Sequence, residues 1–323
     1  LPTLIRSTRD GRSGHAFGGE DIVMKVAQTD ALVVAYEEVG SADGWPVVLS
    51  HGFPYDVCAY DEVGPLLAAA GARVLMPYLR GFGPTRFRHA EIMRSGQQAA
   101  LGSDLIGLLD ALGIERAILA GYDWGGLASC VAAALWPQRV AGLVSLASYD
   151  VIDVERMRHP FSPALESVMW YQHLFQTERG REGLAIHRRA LCRLLWQQWS
   201  PNWKFDDATF ERTAHSFDNP DFVDVVIHSY RFDFGLAAGD PTYDDFEARL
   251  RQKPKISVPA VTLDGEDDPL KPGGTADQAG MFTGPHEHWT IAAGHNLPQE
   301  SPSAFADAIK AVRRMSTNTP SAN

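Results

Sequence analysis

Four short segments of this 323-residue chain carry side chains suited to covalent chemistry, and they occur in an informative order. The stretch LAGYDWGGLAS (119–129) holds Gly121-Tyr122-Asp123-Trp124-Gly125, a G-x-D-x-G turn between an apolar run and an Ala-rich helical run. Such a strand–turn–helix presents its central side chain as a nucleophile, and the familiar version carries serine. A plain turn with an N-capping aspartate has the same local pattern, so this segment alone leaves both readings open. Upstream, His51-Gly52-Phe53-Pro54 closes a strand-like run. Downstream, LDGEDDPL (263–270) ends another with Asp267 and Asp268, and AAGHNLPQESP (292–302) sets His295 in a turn before a final helix. Each piece is common. Nucleophile, acid and histidine in that order, each at a strand end, are specific.

On these motifs the chain resembles an α/β-hydrolase of the epoxide hydrolase and haloalkane dehalogenase branch, over roughly residues 20 to 315. In that branch the nucleophile is an aspartate, which assigns the role to Asp123. The chemistry fits a carboxylate. Attack on an sp3 carbon gives an alkyl ester, whose carbonyl water can open, whereas serine would leave a stable ether. The resemblance implies His295 as general base on that water, with the backbone N–H groups of Phe53 and Trp124 forming an oxyanion hole. The orienting acid maps through Gly265-Glu266-Asp267-Asp268 onto Asp268. Asp267, or Asp150 and Asp153 after the sixth strand, are its alternatives.

The leaving group separates the two branches. An epoxide oxygen needs a proton donor, and phenols supply one at neutral pH. WYQHLFQ (170–176) resembles the epoxide hydrolase stretch with the first cap tyrosine, giving Tyr171; VVIHSYRFDFG (225–235) resembles the second, giving Tyr230. Ser229, Asp233 and Phe234 depart from the latter pattern, and Tyr55, Tyr149 and Tyr243 are fallback donors. Pro54 and Trp170 are expected in the pocket wall. The expected reaction converts an apolar epoxide to a vicinal diol without metal or organic cofactor. The alternatives are a haloalkane or haloacid dehalogenase with the same residues, an unusual esterase or lactonase, and a non-catalytic ligand-binding protein. His286 and His288 are expected to be exposed.

These side chains need a scaffold that gathers strand ends. Short β-branched runs at 31–40, 46–52, 72–81, 116–123, 140–149, 258–267 and 288–295 alternate with helical patterns such as 95–113 and 125–137. That alternation predicts a mostly parallel sheet with helices on both faces. The resemblance implies eight strands and a helical cap inserted after the sixth. The expected division is an arm over 1–20, a core over 21–149 and 251–315, a strand-poor, aromatic-rich cap over 150–250, and a disordered tail over 316–323.

Composition narrows the partners. A net charge of 29 − 40 = −11 disfavours nucleic acid and anionic membranes, both of which reward clustered Lys and Arg. Cys58, Cys130 and Cys192 lack metal-ligand spacing and read as buried small hydrophobes. No run of about 18 apolar residues predicts a membrane span. A cytoplasmic protein is the expectation, with an upstream export signal left open because the chain starts at Leu1 without a methionine. Oligomeric state is not legible.

Overall fold

Continuous apolar runs and half-apolar runs end up in different places in the sheet. In the computed structural model, which describes residues 23–318, nine strands occur among the described residues. They are β1 (Val23–Gln28), β2 (Leu32–Val39), β3 (Trp45–Ser50), β4 (Ala72–Pro77), β5 (Arg86–Phe87), β6 (Ala117–Gly121), β7 (Val140–Leu146), β8 (Ala260–Gly265) and β9 (His286–Ile291). The spatial order is β1-β2-β4-β3-β6-β7-β8-β9, with β5 on β2. Pairing is parallel from β4 through β9; β2 runs antiparallel to β1, β4 and β5. Every residue of β6 and β8 is buried, as expected for strands covered on both faces. The outer strand β9 shows partial exposure along its length.

The sheet therefore has one strand more than the eight expected. Two strands escaped the sequence reading. β1 carries Lys25 and Gln28 at its exposed edge, and β5 is two residues long, held only by Leu32 and Val33. The arm expected over 1–20 lies outside the described residues. The tail expected over 316–323 starts too early, because the last helix continues to Asn318.

Helices α1 (Val63–Ala68), α2 (Gln98–Ala111) and α3 (Trp124–Leu135) fill the crossovers before β7. In α3 the sequence WGGLASCVAAAL uses small side chains, which let the helix lie close on the sheet with nearly every residue buried. Between β7 and β8 the chain makes no described strand. It forms α4 (Val154–Met157), α5 (Pro163–Val168), α6 (Trp170–Phe175), α7 (Glu178–Trp199), α8 (Asp207–Ala214), α9 (Phe222–Asp233) and α10 (Asp244–Leu250). Two helices, α11 (Leu297–Glu300) and α12 (Pro302–Asn318), follow β9. No described helix is long and apolar enough to cross a membrane.

Buried polar contacts fasten the insertion to the sheet. Asp56, between β3 and α1, accepts from Thr213 Oγ1 at 2.9 Å and Ser216 Oγ at 2.7 Å. Glu247 of α10 accepts the Ala99 N–H in the first turn of α2 at 3.0 Å. That carboxyl satisfies a helix-start donor that has no partner within its own helix.

Candidate active site

Parallel strands deliver their following loops to one edge of the sheet, and the four sequence motifs meet there. Asp123 follows β6 and opens α3 with φ 51 and ψ −129, a backbone region costly to a side-chain-bearing residue. The turn survives because its neighbours are small: a Cβ on Gly125 would overlap the Ser50 carbonyl at the end of β3. This close approach brings the β3 exit onto the Asp123 turn. Phe53 N–H donates to Asp123 Oδ1 at 2.6 Å, and Trp124 N–H donates to the same oxygen at 2.7 Å. One carboxylate oxygen is thus held by two backbone donors. The other, Oδ2, lies 3.4 Å from His295 Nε2.

His295 follows β9, and Asp268 follows β8. The imidazole Nδ1 lies 2.8 Å from Asp268 Oδ2; an ionised carboxylate only accepts, so Nδ1 carries the proton. Nε2 makes no hydrogen bond among the described residues and faces Asp123. Burial alone would push the imidazole's pKa down. The Asp268 charge and the contacts with Asp123 outweigh it and raise it to about 10. The resting site is therefore an imidazolium between two carboxylates.

The competing acids have other occupations. Asp267 points outward and accepts from Asn202 Nδ2 at 2.8 Å. Asp150 pairs with Lys271 at 3.3 Å, and burial, opposed by that lysine and aided by Asp123, pushes its carboxyl up to about 6. Asp153 caps α4 and pairs with Lys253 at 2.5 Å. Only Asp268 reaches His295 among these four.

Above Asp123 lies an aromatic lid. Phe53 stacks between Trp124 at 5.7 Å and Tyr171 at 6.3 Å, and meets Tyr230 edge-on at 5.6 Å. Tyr171 and Tyr230 sit perpendicular at 5.3 Å with their hydroxyls within reach of each other, and Gln172 Nε2 donates to Tyr171 Oη at 2.9 Å. Burial, with the Asp123 charge next among the causes for Tyr171, raises both phenols' pKa values, so both remain protonated. The remaining tyrosines differ. Tyr149 Oη donates to Pro254 O at 2.9 Å, and Tyr243 Oη accepts from Arg80 Nη2 at 3.4 Å. Tyr55 is buried, its hydroxyl has no partner among the described residues, and its ring stacks on Trp196 of α7 at 5.0 Å.

Trp170, expected in the pocket wall, is half-buried; its indole N–H donates to Gln198 at 3.0 Å, and its ring meets that of Tyr171 edge-on at 6.3 Å. One expectation needs correction. His286 and His288 are half-buried rather than exposed, because both reach Thr262 Oγ1 at 2.9 Å and His288 also reaches Asp264 at 3.0 Å. Pro54 is buried, and its carbonyl accepts the Trp196 indole N–H at 2.9 Å.

Several residues that shape the site were not picked out from the sequence. His51 receives the Leu79 N–H on Nε2 at 3.1 Å and faces Gly52 O with Nδ1 at 2.9 Å, which fixes the loop carrying Phe53. Asp233 was noted only as a departure from pattern. It is buried one turn beyond Tyr230, where its carboxyl accepts no hydrogen bond among the described residues, and burial raises its pKa well above the carboxylate range. No group of metal-ligating side chains occurs among the described residues.

Known proteins share this architecture. A family model described as the alpha/beta hydrolase fold matches residues 46–272. A crystal structure from Klebsiella pneumoniae, provisionally named as an epoxide hydrolase, superposes with a TM-score of 0.88 at 42% identity, covering 90% of this chain and 97% of that one. Epoxide hydrolase A of Mycobacterium tuberculosis is 27% identical over 312 residues, which span 88% of this chain and 95% of its own. A haloalkane dehalogenase of Psychrobacter cryohalolentis is 26% identical over 303 residues, 88% of each chain.

Proposed function

The chain belongs to the α/β-hydrolase family as an epoxide hydrolase-like member, and from that premise we propose that it hydrolyses apolar epoxides to vicinal diols through an ester on Asp123. The two relatives of near-equal identity point to different leaving groups. The observation that carries the choice is the pair of buried, protonated phenols, Tyr171 and Tyr230, set over Phe53 and Trp124. We read α4 to α10 as a cap that brings them there.

Asp123 Oδ1 is held by two N–H groups, which leaves Oδ2 to attack the epoxide carbon from behind. The carbon–oxygen bond breaks, and the oxygen takes a proton from the phenol pair. The product is an alkyl ester. Esterification removes the Asp123 charge that helps keep His295 protonated, so the imidazole gives up its proton, which reprotonates the phenolate left by ring opening, and becomes a base. Nε2 then takes a proton from water as its oxygen bonds to the ester carbonyl carbon. The oxyanion forms on Oδ1, between Phe53 N–H and Trp124 N–H, where each donor stabilises it by about 3–4 kcal/mol. Collapse breaks the ester bond; the departing alkoxide takes the proton of the His295 imidazolium to give the diol, and the new carboxylic acid on Asp123 returns its own proton to the imidazole. Asp268 keeps the tautomer.

A second reading, halide displacement, draws on Trp199: its indole N–H is buried with no acceptor among the described residues, and its ring lies 5.3 Å from His295. One incubation separates the two. With an aryl epoxide and a chloroalkane, diol without chloride is expected; chloride without diol overturns the epoxide reading. Asp123→Ala should abolish diol formation, and Tyr171→Phe or Tyr230→Phe should each slow ring opening roughly 10²-fold, the usual cost of one donor aimed at developing charge.

A further inference from the structure

A catalytic base is only as well placed as the backbone that carries it. The ring of His295 is oriented by Asp268, but the loop from Gly294 to Asn296 is fixed by other groups, which none of the reaction steps uses.

Glu300, at the end of α11, turns back on this loop. Its Oε2 accepts the Gly294 N–H at 2.8 Å, and its Oε1 accepts the Asn296 N–H at 3.1 Å. The same Oε1 accepts the hydroxyl of Ser200 at 2.6 Å, and that hydroxyl oxygen accepts the Asn296 N–H at 3.1 Å. Ser200 belongs to the insertion, just past the end of α7. One residue earlier, the carbonyl of Trp199 accepts the His295 N–H itself at 3.0 Å. All three amide N–H groups of the base loop are therefore held, two by Glu300 and one by α7. The approach is close enough to require a glycine: a Cβ on Gly294 would lie 2.8 Å from Ser200 Cα and 2.9 Å from Trp199 O.

The same turn of α7 reaches the other side of the site. Trp196 lies three and four residues before Trp199 and Ser200, hence on the same helix face. Its indole N–H holds the Pro54 carbonyl at 2.9 Å, next to the Phe53 N–H that binds Asp123. One helical turn of the insertion thus grips the base loop and the oxyanion loop together.

We propose that Glu300 is a positioning residue for His295, joining the base loop to Ser200 and so making the second, hydrolytic step depend on how the insertion is seated. The proposal rests on the two-step reading above. A carboxylate suits the role because both its oxygens only accept, and three donors converge on it. Gln is the same size but carries an NH2 on one side, which would face an N–H or O–H donor.

The test is Glu300→Gln and Ser200→Ala in the full chain, followed through single turnovers of an aryl epoxide with the adduct weighed by mass spectrometry. Ring opening uses Asp123, the N–H pair and the phenols, so its rate should be unchanged. Ester hydrolysis should slow on the order of 10- to 100-fold in Glu300→Gln, the scale expected for a misplacement near 1 Å, and less in Ser200→Ala. The ester should accumulate. Equal loss in both steps, or a lowered Tm with both rates intact, overturns the proposal. A readout without substrate keeps it separate from the epoxide reading. The downfield proton of His295 Nδ1–H in wild-type NMR spectra should shift or broaden in Glu300→Gln, and an unchanged signal also overturns it. If the wild type forms no ester from epoxides, the reaction reading falls and the NMR result decides this one.

Discussion

At the scale of single residues, the site stores charge in an order that pH can reveal. His295 sits between Asp268 at 2.8 Å and Asp123 at 3.4 Å, and its pKa is raised to about 10 from an ordinary 6.5. A group whose pKa is raised by folding stabilises the fold fully below its unfolded value and loses that contribution as pH climbs through the folded value. The window is therefore from about 6.5 to about 10. Wild-type protein should lose stability across this range relative to His295→Gln, measured as the difference in urea midpoint at each pH. A difference that stays flat from pH 7 to 10 would mean the imidazolium is not clamped by two carboxylates. Legibility at this scale followed chemistry that is local in sequence. Asp123, Asp268 and His295 each stand in a strand-end motif readable within a few residues. Glu300 stands in the same stretch as His295, but its tie to Ser200, 100 residues away, is made only by folding.

At the scale of elements, the loop carrying Phe53 is supported from β4 as well as from α7. Leu79, just past β4, holds His51 by its N–H at 3.1 Å. The next residue, Arg80, is buried and anchors that exit to α2: its Nε and Nη2 donate to Asp104 at 2.6 and 2.7 Å, and Nη1 donates to Ser95 O at 2.8 Å. Removing one member of a buried ion pair leaves the other charge without compensation, which costs about 3–5 kcal/mol. Asp104→Ala should destabilise by that amount in urea unfolding. Tyr243→Phe, which removes a single longer contact to Arg80 at 3.4 Å, should cost no more than about 1 kcal/mol. Equal effects would show that the guanidinium is not held mainly by Asp104. The central elements were legible because β3, β6, β7 and β8 are apolar runs bounded by glycine or polar turns. The extra strand β5 was not, since two residues carry no periodicity and their pairing with β2 depends on a loop returning from β4.

At the scale of the whole molecule, the parallel order β3-β6-β7-β8-β9 does the gathering. Phe53, Asp123, Asp268 and His295 come from four separate strand exits, and β3 lies beside β6 although their contact joins residues 70 apart. The whole chain carries a net charge of −11, and Asp123, Asp268 and Asp150 are the carboxylates that lie at the site, beneath an apolar lid of Phe53, Trp124, Tyr171, Phe175 and Tyr230. Lys271 and the His295 imidazolium are the cations named among these charges, and Asp150 on the one and Asp268 and Asp123 on the other already engage them. Such a field repels anions at long range and its cations are already paired at short range, whereas neutral aromatic substrates gain the lid's apolar area. An aryl epoxide should therefore have a kcat/KM at least roughly tenfold above that of its carboxylate-bearing analogue at low ionic strength. Part of that gap comes from long-range repulsion. It should narrow as salt shortens the Debye length to about 8 Å at 0.15 M and about 3 Å at 1 M. The part due to desolvating the carboxylate under the lid should persist at high salt. Parallel kcat/KM measurements on the two substrates across that range test both components, and a preference for the anion at any salt would show that a cationic subsite outweighs the field.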